Sequence, residues 1–340
     1  MKNILKVNMV SESDITVQAH GVHTAYTEMA RALERRSDVK LIRGQFDKQL
    51  DVDIVHFHSI GLAVLKKLRQ KNVKKVISAH IIPASLVGSI VMAKYWSPLA
   101  KRYMKWFYNR GDKVLAVSKT VADVLENDLD VPKEKIEVLY NTIDMSRYVS
   151  SPEKKKHARE RLGIRKNAFV VIGNGQVQPR KRLDIFVNMA KQLPDVHFVW
   201  VGGIPFKHLG ADYAAMQKLM TSAPANLKIT GVIPHEDVAE YLAAADVFCL
   251  PAEQENHPMA VLEAAGAGLP IVLRDITEYD DTFAGDAIMC RDAGFTNAIV
   301  LLRDNNDEYK KAQKNSARIA KRFDTSTMAE RLVGMYRGLL

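Results

Sequence analysis

The chain has 340 residues, of which 47% are hydrophobic and 26% charged, and its formal net charge is +10. This length and apolar content suit two α/β domains, each with its own core, and exclude a disordered or low-complexity protein. The first ten residues hold only a short apolar run, and no later stretch approaches the ~20 apolar residues of a transmembrane helix. We therefore expect neither a signal peptide nor a membrane span.

The positive charge is concentrated in residues 1–150, which hold 24 Lys and Arg against 16 Asp and Glu. A basic surplus of this size favours an anionic partner, and both nucleic acid and an anionic membrane surface fit it. Cys249 and Cys290 lie in apolar runs, which predicts buried thiols rather than a zinc site or a disulfide framework.

Short β-branched runs alternate with helical patterns along the whole chain. The predicted strands are 4–10, 39–43, 54–57, 75–79, 113–117 and 136–139, and then 168–172, 197–201, 227–230, 247–250, 271–273 and 287–289. This alternation is typical of parallel, doubly wound α/β sheets, and its restart after the charged stretch 150–166 predicts two of them. We expect one domain over 1–149 and a second over 150–324, with a C-terminal helix at 325–340 that packs back on the first.

Glycines and polar residues follow these strands at the ends where open parallel sheets bind ligands. In the first half they are Gly21, His80, Ser118 and Asn141. In the second half they are Gly173–Gly175, Gly202–Gly203, Gly231 and the segment 253–257. The two sets predict a cleft with ligand-binding residues on both sides.

The segment from Glu255 to Glu263 is the most informative part of the sequence. Pro258 suits the first turn of a helix, where its missing N–H costs nothing, and the free N–H groups of that turn suit a phosphate. Glu255 would then lie before the helix, where it can accept sugar hydroxyls, and Glu263 within it, where it can accept ribose hydroxyls. Two solvated or helix-capping glutamates fit the spacing equally well.

A second basic segment, Gly175-Gln-Val-Gln-Pro-Arg-Lys-Arg182, follows a predicted strand and opens a helix. Arg180 and Lys181 are placed to bind a diphosphate there. A solvated basic helix start is the alternative.

With these segments the chain resembles the retaining GT-B glycosyltransferases of family 4, whose signature of two glutamates eight positions apart is matched by Glu255 and Glu263. The resemblance extends over most of the chain through the stretches 21–23, 53–58, 79–80, 117–118, 139–144, 175–181, 201–203 and 245–251. It implies that Glu255 and His80 contact the donor sugar, that Glu263 binds the nucleotide ribose, and that Gly21 lies near the diphosphate. The predicted donor-binding residues are Gly21, Gly175, Gln176, Arg180, Lys181, Gly202, Ile233, His257, Pro258, Met259, Ala260 and Glu263, and the predicted catalytic residues are Glu255, His80, Lys181 and Arg180.

The chain departs from the family pattern in the second basic segment. Gln176 stands where the family has an arginine, and Arg182 stands where it has a glycine after the lysine. We expect Arg180 or Arg182 to supply the missing charge.

The stretch 94–110 combines aromatic and basic residues at helical spacing, which is typical of an interfacial membrane helix. An ordinary packed helix with one wet face is the alternative. The predicted membrane-binding residues are Lys94, Trp96, Lys101, Arg102, Lys105, Trp106 and Phe107.

Together these features predict a retaining UDP-sugar hexosyltransferase bound peripherally at the cytoplasmic face of the cell membrane. The resemblance of the stretch 273–279 to bacterial diglycosyl-diacylglycerol synthases indicates UDP-glucose or UDP-galactose as donor and monoglucosyl-diacylglycerol as acceptor, in glycolipid or lipoteichoic-acid anchor synthesis. We expect no metal or other cofactor, because the histidines lack carboxylate or cysteine companions at ligand spacing. The alternatives are a family-4 enzyme with a soluble or polysaccharide acceptor, a GT-B nucleotide-sugar epimerase, and a basic nucleic-acid-binding protein.

Overall fold

A computed structural model describes residues 4–14, 21–87, 89, 93–204 and 211–340, with the side chains of 14 and 93–96 outside the description. These residues form two compact units. The first takes the described residues up to 86, together with 94–143 and 324–340. The second takes the described residues of 87–93 and 144–323.

The first unit is a parallel sheet with the strand order β2-β1-β3-β4-β5-β6. Its strands are β1 Leu5–Val10, β2 Val39–Arg43, β3 Ile54–Phe57, β4 Lys74–Ala79, β5 Lys113–Ala116 and β6 Ile136–Val138. Its helices are α1 Gly21–Glu34, α2 Leu65–Leu68, α3 Pro83–Leu86, α4 Ala93–Tyr108, α5 Lys119–Asn127 and, from the C-terminus, α13 Thr325–Gly338. The central strands are buried on both faces, as expected of a sheet covered by helices on each side.

The second unit is also a six-stranded parallel sheet, with the order β12-β11-β10-β7-β8-β9. Its strands are β7 Val170–Asn174, β8 His197–Val201, β9 Leu227–Ile229, β10 Val247–Leu250, β11 Ile271–Arg274 and β12 Ile288–Cys290. Its helices are α6 Pro152–Leu162, α7 Leu183–Gln192, α8 Tyr213–Thr221, α9 Val238–Ala244, α10 Met259–Gly266, α11 Gly294–Asp304 and α12 Asn306–Arg322. Read from β9, the order is 3-2-1-4-5-6, that of dinucleotide-binding folds. The predicted α/β class with two doubly wound sheets is confirmed.

The units divide at 143–144, six residues before the predicted boundary. The reason lies in the turn that follows, because Met145 and Tyr148 pack against α10: a Cβ placed on Gly266 would lie 3.1 Å from atoms of both. At the other end of the chain, the amide of Thr325 donates to the carbonyl of Ile143, and α13 packs on α1.

A buried ion-pair network holds α6 to the second sheet. Asp246, just before β10, accepts hydrogen bonds from Arg159 at 2.7 Å, from Lys155 at 2.6 Å and from the amide of Val170 at 2.7 Å. Arg159 also donates to the carbonyls of Ala244 and Lys166. Since Arg159 is only 6% exposed, its charge depends on Asp246 for a counter-ion.

Replacement of Asp246 by alanine should therefore lower the free energy of unfolding by about 3 kcal/mol, because it leaves the buried Arg159 guanidinium without its carboxylate. The exposed pair Lys156–Glu160 on the same helix provides the control, and Glu160→Ala should cost less than about 0.5 kcal/mol. Urea denaturation of the two variants measures the difference, and equal losses would contradict this account of the network.

Candidate active site

The strand order of the second sheet brings two loops together. β7 and β10 are neighbours, but the chain continues from β7 towards β8 on one side and from β10 towards β11 on the other. Such a reversal opens a crevice at the carboxyl ends of the strands, where ligands bind. The loop after β7 holds a short 3-10 turn, Pro179–Lys181, and the loop after β10 holds Glu255.

Lys181 and Glu255 form a buried ion pair at this crevice. The Lys181 ammonium donates to Oε1 of Glu255, and the two residues are 8% and 7% exposed. Arg180 lies 3.4 Å from the same oxygen and also donates to the carbonyl of Gln254 at 2.8 Å and to the hydroxyl of Ser89 at 2.7 Å. The structure thus brings both basic residues together with Glu255.

Burial dominates the electrostatics of Lys181. It lowers the pKa of the ammonium, and the neighbouring Arg180 lowers that pKa further, whereas Glu255 acts in the opposite direction. A cation pair held in a poorly solvated pocket interacts with an anion more strongly than it would in water. The site is therefore suited to a ligand that carries negative charge.

Close backbone approach shapes the same crevice. A Cβ placed on Gly202 would lie 2.1 Å from the carbonyl oxygen of Gly175, so only glycine fits at the end of β8. A Cβ on Gly175 would lie 3.5 Å from Cε of Lys181, which shows that the lysine side chain passes directly over this glycine. Gly202 therefore packs on the backbone of Gly175, and Gly175 lies against the side chain of Lys181.

Arg182 takes a different role from Arg180. Its backbone is left-handed, with φ at 54°, a region that favours glycine. Its guanidinium pairs with both oxygens of Asp184 and with Glu253 rather than with Glu255. Of the two candidates for the missing charge, the structure thus places Arg180 at the site and turns Arg182 towards the acidic side chains beside it.

Glu263 lies in the second turn of α10 and is 2% exposed. Its Oε1 lies 2.8 Å from Nε2 of His235 and 3.5 Å from the hydroxyl of Tyr148, and its Oε2 accepts a hydrogen bond from Asn174 at 3.0 Å. Sequence reasoning missed His235 and Asn174. Asn174 could have been selected from its position at the end of β7, where ligand-binding residues are expected. Nothing in the sequence pairs the segment around His235 with α10.

The other predicted donor-binding residues surround α10 and the basic turn. Pro258 is the N-cap position of α10, and the helix itself begins at Met259, one residue later than expected. His257 is buried with its ring stacked on Phe283, and burial lowers its pKa to about 3, so the ring stays neutral. Ala260 lies in the first turn of α10, Ile233 lies half-buried in the loop after β9, and Gln176 accepts a hydrogen bond from Gln178.

Tyr279 ends the stretch that suggested a lipid acceptor, and it is fully buried in the second unit. Its hydroxyl has no hydrogen-bond partner among the described residues. Burial raises the pKa of this hydroxyl well above its usual value, and the carboxylate of Glu255 raises it further. Tyr279 therefore presents a neutral hydroxyl in the electrostatic field of Glu255.

In the first unit, His80 follows β4 and forms a buried cluster with two more histidines. Nδ1 of His58 lies 3.1 Å from Nε2 of His80, and His56 bonds the hydroxyls of Ser78 and Tyr336. Burial lowers the pKa of His56 to about 3 and that of His58 well below its usual value, so both rings are neutral. Gly21, also in this unit, is exposed at the start of α1.

Helix α4 carries the predicted membrane-binding residues, and the structure corrects one of them. Phe107 is fully buried in the core of the first unit, because it lies on the face of α4 that packs on the sheet. It therefore cannot reach a surface. Trp106 is 41% exposed, with the guanidinium of Arg110 stacked 3.7 Å from its ring centroid. The side chains of Lys94 and Trp96 lie outside the described residues.

The remaining basic residues of α4 differ in their surroundings. Lys101 and Lys105 form surface ion pairs with Asp128 and Asp130, whereas Arg102 is exposed. Two further apolar side chains that sequence reasoning did not select are prominent on this unit: Leu99 is 72% exposed and Leu62 is 79% exposed. The hydroxyl of Tyr103, on α4, donates to the carbonyl of Ile60, which ties the loop with Leu62 to the helix.

The described residues form no helix that is both long and apolar enough to cross a bilayer. Nor do they contain a group of three or more histidine, cysteine, aspartate or glutamate residues placed to hold a metal ion.

Comparison with known proteins identifies the family. The model for Glycosyltransferase Family 4 matches residues 12–147, and the model for Glycosyl transferases group 1 matches residues 154–317. The chain is 33% identical over 288 residues to the alpha-galactosylglucosyldiacylglycerol synthase of Streptococcus pneumoniae, which covers 84% of this chain and 76% of that protein. It is 24% identical over 307 residues to the processive diacylglycerol alpha-glucosyltransferase of Acholeplasma laidlawii, covering 90% of this chain and 86% of the relative.

Solved structures share the fold at low sequence identity. The Anabaena protein HepE in complex with UDP-glucose superimposes with a TM-score of 0.80 at 17% identity, covering 98% of this chain and all of that one. Sucrose-phosphate synthase from Thermosynechococcus elongatus gives a TM-score of 0.81 at 16% identity, covering 98% of this chain and 99% of the other. With two parallel doubly wound sheets, both family models and a relative at 33% identity, this chain belongs to glycosyltransferase family 4 and is a glycosyltransferase of the GT-B fold.

Proposed function

We propose that this glycosyltransferase moves glucose or galactose from its UDP-sugar to monoglucosyl-diacylglycerol, with retention at the anomeric carbon, in glycolipid or lipoteichoic-acid anchor synthesis. The observation that carries the proposal is the 33% identity over 288 residues to an enzyme named for making alpha-galactosylglucosyldiacylglycerol. A second relative, also named for a diacylglycerol substrate, aligns over 90% of the chain.

The site in the second unit supports a nucleotide-sugar donor. Arg180 and Lys181 provide the positive charge that a diphosphate requires, and the partial positive charge at the N-terminus of α10 adds to it. In this proposal Glu255 accepts sugar hydroxyls and Glu263 accepts ribose hydroxyls.

In this proposal the transfer retains the anomeric configuration without a covalent enzyme intermediate. A carboxylate oxygen that already bonds Lys181 and faces Arg180 is a poor nucleophile, because two cations stabilise its charge. In the proposed reaction the bond from the anomeric carbon to the UDP oxygen breaks, and Arg180 and Lys181 stabilise the departing diphosphate. The acceptor hydroxyl attacks from the same face, and a phosphate oxygen of the departing UDP takes its proton. His80 stays a predicted sugar contact.

Because the proposed acceptor is a membrane lipid, we also propose that the protein is bound peripherally at the cytoplasmic face of the cell membrane. Exposed Leu62, Leu99 and Trp106 provide apolar contacts, and Arg102 and Arg110 provide positive charge on the same unit. Apolar insertion together with basic residues is the combination that holds a peripheral protein on anionic lipid.

The direct test is a product assay with paired donors and acceptors. The protein is incubated with UDP-glucose or UDP-galactose and with monoglucosyl-diacylglycerol, and the products are examined by mass spectrometry and by NMR of the anomeric proton. A diglycosyl lipid with an α-linkage supports the proposal. Transfer only to a soluble or polysaccharide acceptor, epimerisation without an acceptor, or a gel shift with nucleic acid and no transfer would each overturn it.

The two glutamates should separate turnover from nucleotide binding. Glu255→Gln should lower turnover on the order of 100-fold and change UDP affinity little, because this carboxylate is assigned to the sugar. Glu263→Ala should weaken UDP binding roughly tenfold, because it removes the acceptor of the ribose hydroxyls. Calorimetric titration with UDP and initial-rate measurements give both quantities. Unchanged UDP affinity in Glu263→Ala would exclude the ribose role.

Activity should survive EDTA, since the basic residues at the site are proposed to stabilise the diphosphate in place of a divalent cation. The measurement is the transfer rate with and without excess chelator after dialysis, with magnesium and manganese added back as the control. A complete loss of activity that either ion restores would contradict the metal-independent mechanism.

Leu62→Gln together with Trp106→Gln should reduce sedimentation with anionic vesicles at 1 M salt, where apolar insertion contributes more than screened charge. The control is Leu301→Gln, which removes a leucine that is 43% exposed on α11 of the other unit.

Charge reversal on α4 tests the basic residues. Replacing Lys101, Arg102 and Lys105 together by glutamate should abolish vesicle binding at low salt and leave UDP binding intact. Undiminished sedimentation of both multiple variants would show that this surface does not contact the membrane.

A further inference from the structure

The carboxylate of Glu263 is held from both ends by protein donors. Nε2 of His235 lies 2.8 Å from Oε1, and Nδ2 of Asn174 donates to Oε2 at 3.0 Å. Glu263 itself is 2% exposed, so these contacts lie in a poorly solvated environment. Two bonds at opposite oxygens fix the plane of the carboxylate as well as its position.

Three separate segments supply this arrangement. Asn174 is the last residue of β7, His235 begins the short 3-10 helix after β9, and Glu263 lies on α10. The loop before His235 is itself held in place, because the amide of Gly202 donates to the hydroxyl of Thr230 at 3.1 Å. The carboxylate is therefore oriented by the folded sheet and not by its own helix alone.

The chemistry of the contacts determines what the carboxylate can still do. An ionised carboxylate only accepts hydrogen bonds, and each oxygen has two lone-pair positions. His235 must therefore carry a proton on Nε2, and Asn174 must direct its amide nitrogen at Glu263. Asn174 engages one lone pair of Oε2 and leaves the other open. On Oε1 the position beside His235 is taken only by the long 3.5 Å contact to the Tyr148 hydroxyl, which one of two adjacent ligand hydroxyls can replace.

We propose that His235 and Asn174 are positioning residues that orient Glu263 for the two hydroxyls of a ribose, and that they thereby set the preference for ribonucleotide over 2′-deoxyribonucleotide donors. The inference rests on the proposed function, in which Glu263 binds the nucleotide ribose. A ligand without the 2′-hydroxyl leaves one buried lone pair unsatisfied, and sites built for a hydroxyl reject such analogues strongly. A carboxylate free to rotate would adapt to the single remaining hydroxyl and discriminate less.

The experiment compares the affinities of UDP and 2′-deoxy-UDP in calorimetric titrations of the full chain. The wild-type protein should bind UDP at least tenfold more tightly than 2′-deoxy-UDP. His235→Ala and Asn174→Ala should each reduce this ratio severalfold, mainly by weakening UDP binding. His235→Gln, whose amide can donate to the same oxygen, should restore much of the ratio. Glu236→Ala, which changes the exposed neighbour of His235, is the matched control and should leave the ratio unchanged.

The outcomes separate the two proposals. A wild-type preference for UDP that disappears in Glu263→Ala but persists in full in His235→Ala and Asn174→Ala would overturn the positioning role alone. If the wild-type protein does not prefer UDP to 2′-deoxy-UDP, or if the preference survives in Glu263→Ala, both the positioning role and the ribose assignment are overturned. The product assay would still decide which sugar and acceptor are used. Thermal melts of each variant establish that it is folded. An affinity ratio of UDP to 2′-deoxy-UDP that falls in His235→Ala and does not recover in His235→Gln also counts against the proposal.

Discussion

β7 and β10 lie side by side in the second sheet, although β8 and β9 intervene in the sequence, and the chain leaves them in opposite directions. This reversal creates the space in which Lys181 and Glu255 meet as a buried ion pair. Burying two charges is costly unless each satisfies the other, so the pair constrains both loops at once. Gly175 lies against the lysine side chain, and Arg180 is directed at the same carboxylate.

Arg182, close in sequence to the Lys181–Glu255 ion pair, stands where the family pattern has a glycine. Arg182 occupies a left-handed backbone position where glycine is favoured, at a cost of roughly 1 kcal/mol for a residue with a Cβ. The guanidinium is held by Asp184 and Glu253 at that position, and these contacts offset the backbone cost. Its charge is consequently neutralised locally, whereas Arg180 remains directed at the site.

In the first unit, buried histidines connect the sheet to the C-terminal helix α13. Its buried histidines, His56, His58 and His80, are linked by ring contacts and a hydrogen bond in a chain that reaches Tyr336 on the C-terminal helix. Helix α13 thus completes the core of the unit that contains the N-terminus, even though more than 180 residues of the other unit intervene. Loss of α13 would expose polar groups that only the helix satisfies, so the two ends of the chain depend on each other.

The sequence alone determined the strands and the principal charged residues of the site. The run 247–250, Val-Phe-Cys-Leu, is apolar on every side, and this marks a buried parallel strand whatever the surrounding topology. Spacing from a strand end or a helix start made Glu255, Glu263 and Lys181 candidates, and the resemblance to the family selected them. Tertiary structure alone decided that Phe107 faces the core, that Arg180 rather than Arg182 joins Glu255, and that His235 meets Glu263. These outcomes depend on contacts between segments far apart in the chain, and local periodicity and spacing carry no information about which distant segments pack together.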